Sequence, residues 1–292
     1  MVVSERWDWQ SDRAGRTLTL QSSVLAVVPH FHCERWLPDC LDSLVKQTRP
    51  PQGIVVIDDG SGDPPVEIVA PFPQVTLLAS AENVGPYRLI QQVIDETAYD
   101  AYMFQDADDW SLSDRLEISL REAERSGAEM VGCQSYRLIE VEGEVVPLTY
   151  PLDVNAALAM NPTRHAIKHP GSVVSRDLIR RIGGFSTGFR FAADTEFQCR
   201  AAHVGRMVNV PEFVYVYRVR GGSLTSDPET GIGSPERLEL NQMTFDRALE
   251  NASRVEAGQR PNLEPLMTAG PVVLGHVVGP RLRGVSGGAW PA

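Results

Sequence analysis

The sequence predicts an α/β domain built on a mostly parallel sheet flanked by helices, and three observations carry that reading. From Val24 onward, strand-like and helix-like segments alternate. Two apolar runs, at 54–57 and 101–104, each end in a burst of aspartate: IDDGSGD at 57–63 and QDADDW at 105–110. Hydrophobic residues make up 42% of the 292-residue chain, enough for a sizeable core. A βαβ series closes with right-handed crossovers, which brings the loops after its strands to one sheet edge. Both aspartate bursts then belong to the carboxyl edge, where open α/β sheets bind ligands. Carboxylates gathered there repel one another, so a divalent cation, shared protons or a cationic ligand is needed to make the cluster tolerable.

Taken in order, VLAVVP from Val24 reads as the first strand, residues 34–47 as a helix and GIVVIDDG as the second strand. VTLLAS, a helix at 87–97, the strand DAYMFQ and a helix at 113–126 continue the series. Beyond Ala128 the order changes: EMVGCQSYRLIEVEGEVVPL reads as two longer strands around a turn at 142–144, a smaller antiparallel portion. A helix at 154–160 leads to HPGSVVSRDLIRRIGGF, read as strand, helix and glycine turn. Residues 194–204 read as helix, and MVNVPEFVYVYRVR as strand material broken at Pro211, which has no N–H for a ladder. A last helix at 235–252 has Leu238, Met243, Phe245 and Leu249 spaced for one apolar face. Residues 256–292, rich in Gly, Pro and Val without a period, read as an extended or disordered tail. The expected organisation is an extension at 1–23, a domain at 24–255 with halves at 24–127 and 128–255, and the tail.

A formal charge of −11 argues against a polyanion such as nucleic acid as partner. Cys33, Cys40, Cys133 and Cys199 show no CxxC pair, which suits reduced thiols in a cytoplasmic protein. The N-terminus lacks an apolar signal core, and no run approaches the roughly 20 apolar residues of a membrane span. Peripheral membrane contact through the tail stays open. ENVGPYR offers Asn83, Gly85 and Arg88 at a helix start, where N–H groups and a cation can approach a phosphate or a base. His165 and His169 read as satisfied structural histidines, and His30 and His32 beside Cys33 lack a completing ligand set for zinc.

The segments VVPHFHCERWLPDCLDSLVKQT, VVIDDGSGD, ENVGPYR, FQDADDW, IGGF and AADTEFQCRAAHVG occur in the order seen in glycosyltransferase family 2, and residues 24–225 resemble that family. The resemblance implies a GT-A fold with a Rossmann-like sheet. It also implies an inverting, hexosyltransferase-like enzyme that moves a sugar from a nucleotide-diphosphate donor, by family precedent a UDP-sugar, to a hydroxyl of a glycan, lipid-linked saccharide or small molecule, as in polysaccharide biosynthesis. By that resemblance Asp59 accepts a base N–H, with Pro29 and Phe31 lining the same pocket. Asp106, Asp108 and Asp109 match the DxD-type element that bridges ribose, metal and diphosphate, with Mn²⁺ or Mg²⁺ as cofactor. Asp194 matches the catalytic base, with Glu196 a weaker alternative. Gly183, Gly184 and Phe185 read either as a tight loop beside the sugar or as a plain helix C-cap.

Simpler readings stand beside these. Asp-Gly-Ser also ends strands as a turn, Asp109 or Ser111 can cap the next helix, and Asp194 can serve as an N-cap. Two departures from the family pattern matter: Ala193 stands where many members carry Glu, and Arg220 stands where many carry a histidine near the metal. An arginine cannot ligate a cation. Either the aspartates alone hold the metal, or Arg220 meets the diphosphate and reduces the need for one. The departures also motivate a rival reading, a non-catalytic nucleotide- or saccharide-binding relative. A sugar-phosphate nucleotidylyltransferase is a further rival, but the glycine-rich, Arg/Lys-containing loop it needs after the first strand is missing.

Overall fold

Strand runs too apolar to leave either face in water set the centre of the fold. The computed structural model describes residues 17–284. Strands β1 (Val24–His30), β2 (Gly53–Asp58), β3 (Val75–Ser80) and β4 (Ala101–Phe104) are almost wholly buried and pair in parallel in the order β3-β2-β1-β4. Alternate residues divide between two cores. Leu25, Val27, Val55 and Ile57 face helix α3 (Pro86–Glu96), which supplies Leu89, Ile90, Val93 and Ile94. Val24, Ala26, Val28 and Val56 face the other side, against α1 (Leu37–Val45) and α4 (Arg115–Ser126) with Leu37, Leu41, Leu44, Leu116 and Leu120. A short α2 (Val66–Val69) follows β2.

The second half extends the same sheet. β8 (Val173–Ser175) joins β4 antiparallel, and β6 (Met130–Ile139) joins β8 antiparallel. β9 (Met207–Val219) lies parallel to β6, and the two-residue β5 (Trp110–Ser111) closes that side against β9. The expected antiparallel hairpin is β6 with β7 (Glu144–Leu148), but the longest pairing of this half, β6 with β9, is parallel. The expected break at Pro211 is a register shift inside one continuous strand. The ladder runs from Gly132↔Asn209 to Gln134↔Phe213, so Pro211 and Glu212 bulge out, exposed, where no N–H is needed. The Gln134 side-chain amide donates to the Val210 carbonyl at 3.1 Å and satisfies it.

Helix α5 (Val154–Met160) is capped by Asp153, and α6 (Arg176–Arg181) by Ser175, each accepting from a first-turn N–H. Helix α7 (Ala193–Ala201) packs on α8 (Pro235–Glu256). The apolar face expected for α8 is not the one buried. Leu240, Thr244, Ala248 and Asn251 turn inward, whereas Leu238 and Leu249 are exposed, because the helix also carries the chain that follows it.

The described chain beyond α8, residues 257–284, is extended and docked rather than loose; the remainder of the expected tail, 285–292, and residues 1–16 of the expected extension lie outside the described residues. Asn251 and Asn262 bond reciprocally, Gly188 N–H donates to the Met267 carbonyl, and Gln92 accepts from Val272 N–H. β10 (Leu274–Val278) then pairs antiparallel with the free edge of β3. No period marks this segment because its polar groups are satisfied one at a time by different elements. Arg200 is a main anchor: 1% exposed, it forks onto Glu196 at 2.6 Å and donates to the carbonyls of Ile182, Gly184 and Leu263. Replacing it leaves a buried carboxylate and three carbonyls without their donor. Arg200→Ala is expected to lower unfolding stability by about 3–5 kcal/mol. Urea denaturation checks this, and a loss below about 1 kcal/mol would remove Arg200 from that role.

Candidate active site

Because β1, β2 and β4 run parallel, the loops after His30, Asp58 and Phe104 leave the same edge. Between them and the segment after β9 lies a cleft of about 410 Å³. In the first acidic loop, Asp58 is buried and accepts from His30 Nδ1 at 3.0 Å and from Ser61 N–H, which fixes the turn from below. Gly60 has φ +68, and a Cβ there would stand 2.4 Å from the Glu82 carbonyl carbon, so only glycine fits. Asp59 lines the cleft, and its two carboxylate oxygens accept from Val84 N–H at 2.7 Å and Gly85 N–H at 2.9 Å. Burial pushes its pKa up, while those two donors and Arg190 oppose the shift. Asp59 therefore braces the start of α3 as well as facing the cleft. Asn83 adds to the brace, donating to the Asp59 carbonyl and accepting from Arg190.

In the second acidic loop, carboxylate oxygens of Asp106, Asp108 and Asp109 lie within 4.8 Å of one another. They are not equivalent. Asp109 is 1% exposed, with one oxygen accepting from Tyr215 Oη at 2.6 Å and the other from Arg218 N–H at 2.7 Å. Burial, then Asp108 and Asp106, drive its pKa well up. Asp108 is paired with Arg220, Nε to Oδ2 2.6 Å. The Asp106 carboxylate makes no hydrogen bond among the described residues, and burial followed by the Asp108 charge pushes its pKa up to about 7. Asp106 and the outer oxygen of Asp108 form a donor set that fits a hard divalent cation completing its shell with phosphate oxygens.

The second half of the chain contributes the next layer. A tight turn at His169–Gly171 precedes β8, and β8 beside β4 carries Lys168 into the cleft, its ammonium 3.4 Å from the Tyr217 ring centroid. Asp194 sits in the first turn of α7, after Ala192 in a left-handed conformation. Burial pushes the Asp194 pKa up, but His165, His169, Thr195 N–H and Lys168 outweigh it and hold the carboxyl below its usual range. The fields of Asp194 and Asp106 both reach Tyr87, whose phenol is driven well up, mainly by burial. His169 stacks on Phe104 at 4.3 Å and is 4% exposed, with Nε2 unpartnered.

Of the residues the sequence singled out, Pro29, Phe31, Asp59 and Asn83 line the cleft together with Gly85, Asp106, Asp108 and Arg220. Asp109 lies behind them as the anchor of the turn. Arg88 is elsewhere: its guanidinium donates to the carbonyls of Gly270 and Pro271 and fastens the tail. Gly184 is not at the cleft either. It has φ +80, a Cβ there would meet the Gln91 side chain, and its carbonyl serves Arg200, so the helix-end reading of that glycine pair holds. Sequence reading missed Lys168, Arg190, Tyr217 and Arg218, all lining residues. Lys168 directly precedes the His-Pro pair, yet only the β4–β8 pairing brings it to the aspartates.

The family model described as glycosyl transferase family 2 matches residues 25–183. The uncharacterized glycosyltransferase EpsJ of Bacillus subtilis is 27% identical over 229 residues, 70% of this chain and 63% of its own length. This chain thus spans less than two thirds of that relative. An uncharacterized glycosyltransferase of Mycobacterium tuberculosis, Rv1514c, is 27% identical over 188 residues, 63% of this chain and 70% of its own length. Among solved structures, S. aureus TarS 1-349 in complex with UDP-GlcNAc superposes with a TM-score of 0.59 at 18% identity, over 80% of this chain and 72% of that one. That likeness shows the shared fold.

His169 makes a pH dependence. Burial pulls its pKa down from 6.5 to about 4, so it is neutral when folded while the unfolded chain takes up a proton below 6.5. Its contribution to stability is whole above 6.5 and is lost as pH falls toward 4. His169→Phe, which retains a ring against Phe104, is expected to reduce the stability lost between about pH 7 and pH 5 by about 2 kcal/mol. Urea melts at both pH values measure it, and equal losses in both proteins would refute it.

Proposed function

The chain belongs to glycosyltransferase family 2, and from that premise we propose that it transfers one sugar, with inversion, from a nucleoside-diphosphate donor to a hydroxyl acceptor. The observation that carries this reading is the meeting of Asp59, Asp106 and Asp108 in one cleft at the carboxyl edge of the parallel strands. UDP is the favoured nucleotide, supported by the UDP and UDP-GlcNAc complexes of TarS. The sugar and the acceptor, whether glycan, lipid-linked saccharide or small molecule, are open to a substrate panel.

In the proposed complex the base lies against Pro29 and Phe31, the latter 42% exposed at the mouth and free to stack on a planar ring. Asp59 accepts the base N–H with the lone pairs left by its two loop contacts, and Asp106 meets the ribose. Asn83 and Gly85 at the start of α3 complete the pocket wall. A divalent ion held by Asp106 and Asp108, with Asp109 fixing the turn, would offset charge on the departing diphosphate. The acceptor hydroxyl attacks the anomeric carbon from the side of Asp194 as the bond from that carbon to the diphosphate oxygen breaks, and its proton passes to the Asp194 carboxylate. Asp194 is ionised and so has a lone pair to accept the proton, although a pKa held below the usual carboxylate range makes it a weak base that acts mainly by its position. The charge of Lys168 acts on both Asp106 and Asp194 and favours their ionised forms, which suits a site that must hold an anionic donor beside an anionic base.

Ala193 and the Arg220–Asp108 pair favour one rival, a binder without turnover. No helix among the described residues is long and apolar enough to cross a membrane. All four cysteines are free and buried, which supports a cytoplasmic setting.

Donor turnover and transfer by the native protein, with Asp194→Asn beside it, test the reading. Asp194→Asn is expected to lower kcat by about 10²–10⁴-fold while UDP affinity changes little. No turnover by the native protein across a broad donor and acceptor panel would favour the binder. Asp59→Ala is expected to weaken UDP binding by about tenfold and, by stranding two N–H groups, to cost about 1–3 kcal/mol of stability. Calorimetry showing equal UDP affinities in the two proteins would remove the base contact.

A further inference from the structure

Arg220 is held in the cleft by more than its charge. Its Nε donates to Asp108 Oδ2 at 2.6 Å, and the two side chains are only 10% and 15% exposed. The guanidinium lies 4.2 Å from the Trp36 ring centroid, Nη2 reaches Cys33 Sγ at 3.1 Å, and the Arg220 carbonyl accepts from Ser226 Oγ at 2.7 Å. Trp36 is itself fixed, its Nε1 donating to Glu140 at 2.8 Å, and Arg218 bridges Glu140 and the Asp108 carbonyl. The planar fork is thus locked in position before any ligand arrives. With both oxygens of Asp109 already bonded, the open acidic atoms of the turn are those of Asp106 and one oxygen of Asp108.

We infer that Arg220 is a built-in counter-cation, which holds one oxygen of Asp108 beside the place a divalent ion would take and, on the donor reading above, meets the diphosphate itself. A guanidinium cannot be a ligand, but it matches phosphate oxygens two at a time and carries its charge permanently. A metal entering this turn finds only Asp106 and the second oxygen of Asp108 open, with the Arg220 charge held against the first. Arg220 thus supplies a permanent positive charge at the turn without metal, donor binding does not depend strictly on a divalent ion, and any ion that binds does so against the charge of Arg220.

Two measurements on the full chain test this, with thermal melts confirming that each variant is folded. The first is Mn²⁺ binding to the protein alone, by electron paramagnetic resonance. Arg220→Gln is expected to bind Mn²⁺ at least about tenfold tighter than the native protein, with Arg220→Lys closer to native because it keeps the charge. The second is UDP binding in excess EDTA, where the native protein should bind and Arg220→Gln should lose about tenfold, recovered on adding Mn²⁺. Equal Mn²⁺ affinities in folded native and Arg220→Gln proteins, or native UDP binding abolished by EDTA, would overturn the inference. Failure of every variant to bind UDP, with or without Mn²⁺, would instead remove the donor reading, and the Mn²⁺ comparison would still decide the place of Arg220 at Asp108.

Discussion

The Arg115 guanidinium lies wholly out of water beneath the aspartate turn, and the geometry of the cleft depends on it. It donates to the Phe104 carbonyl at 2.7 Å, to Gln105 Oε1 at 2.9 Å and to Ser111 Oγ at 2.8 Å, with a longer contact to the Ser172 carbonyl. Those acceptors come from the end of β4 and the residue after it, the end of β5 and the strand lead-in of β8. Its other face lies on Tyr215, 5.0 Å from the centroid, and the Tyr215 hydroxyl holds Asp109. A buried cation is costly unless its donors are engaged; here both terminal nitrogens are, though Nε has no partner among the described residues, and their acceptors are the groups that must be aligned for the second acidic loop to exist. The turn has one shape because one cation requires it.

Above that support, a crowd of carboxylates is made tolerable by cations from distant parts of the chain. Lys168 comes from the turn before β8, Arg218 and Arg220 from the end of β9, and Arg190 from the approach to α7. None is near the aspartates in sequence, so the charge balance is a product of topology. β9 parallel to β6, with β5 on its far side, aims residues 217–220 back at the loop after β4. The same arrangement leaves Asp106 least compensated by direct bonds, with its pKa near 7, beside an Asp109 that is fully bonded. Neighbouring carboxylates of one turn thus have separate work: one anchors the backbone, and others face the ligand space.

The parallel half was legible because burial on both faces writes continuous apolar runs, and because glycine and aspartate at the ends of β2 and β4 have few other uses. The helix read at 154–160 is observed with those bounds, with Asp153 as its cap. Arg88 and Gly184 were misplaced for one reason: a motif locates a backbone, not the destination of a long side chain or the neighbour of a glycine. Both positions serve the segment after α8 or its anchor, which has no period to read. The inward face of α8 was missed because it carries polar residues, Thr244 buried without a partner for its hydroxyl among the described residues and Asn251 bonded to Asn262 of that segment, while Leu238 and Leu249 stay in water. Lys168 was invisible as a site residue until strand order put β8 beside β4.

The docking of β10 on β3 has a bearing on how copies of this chain treat one another. Without it, the regular six-residue β3 would offer a bare ladder of N–H and C=O groups, the kind of border onto which a neighbouring polypeptide can zip. β10 covers that border and presents a poorer template in its place: five residues long, irregular between His276 and Val278, and followed by Gly279 and Pro280. A stretch that looks expendable by composition therefore acts as a guard against edge-to-edge self-association.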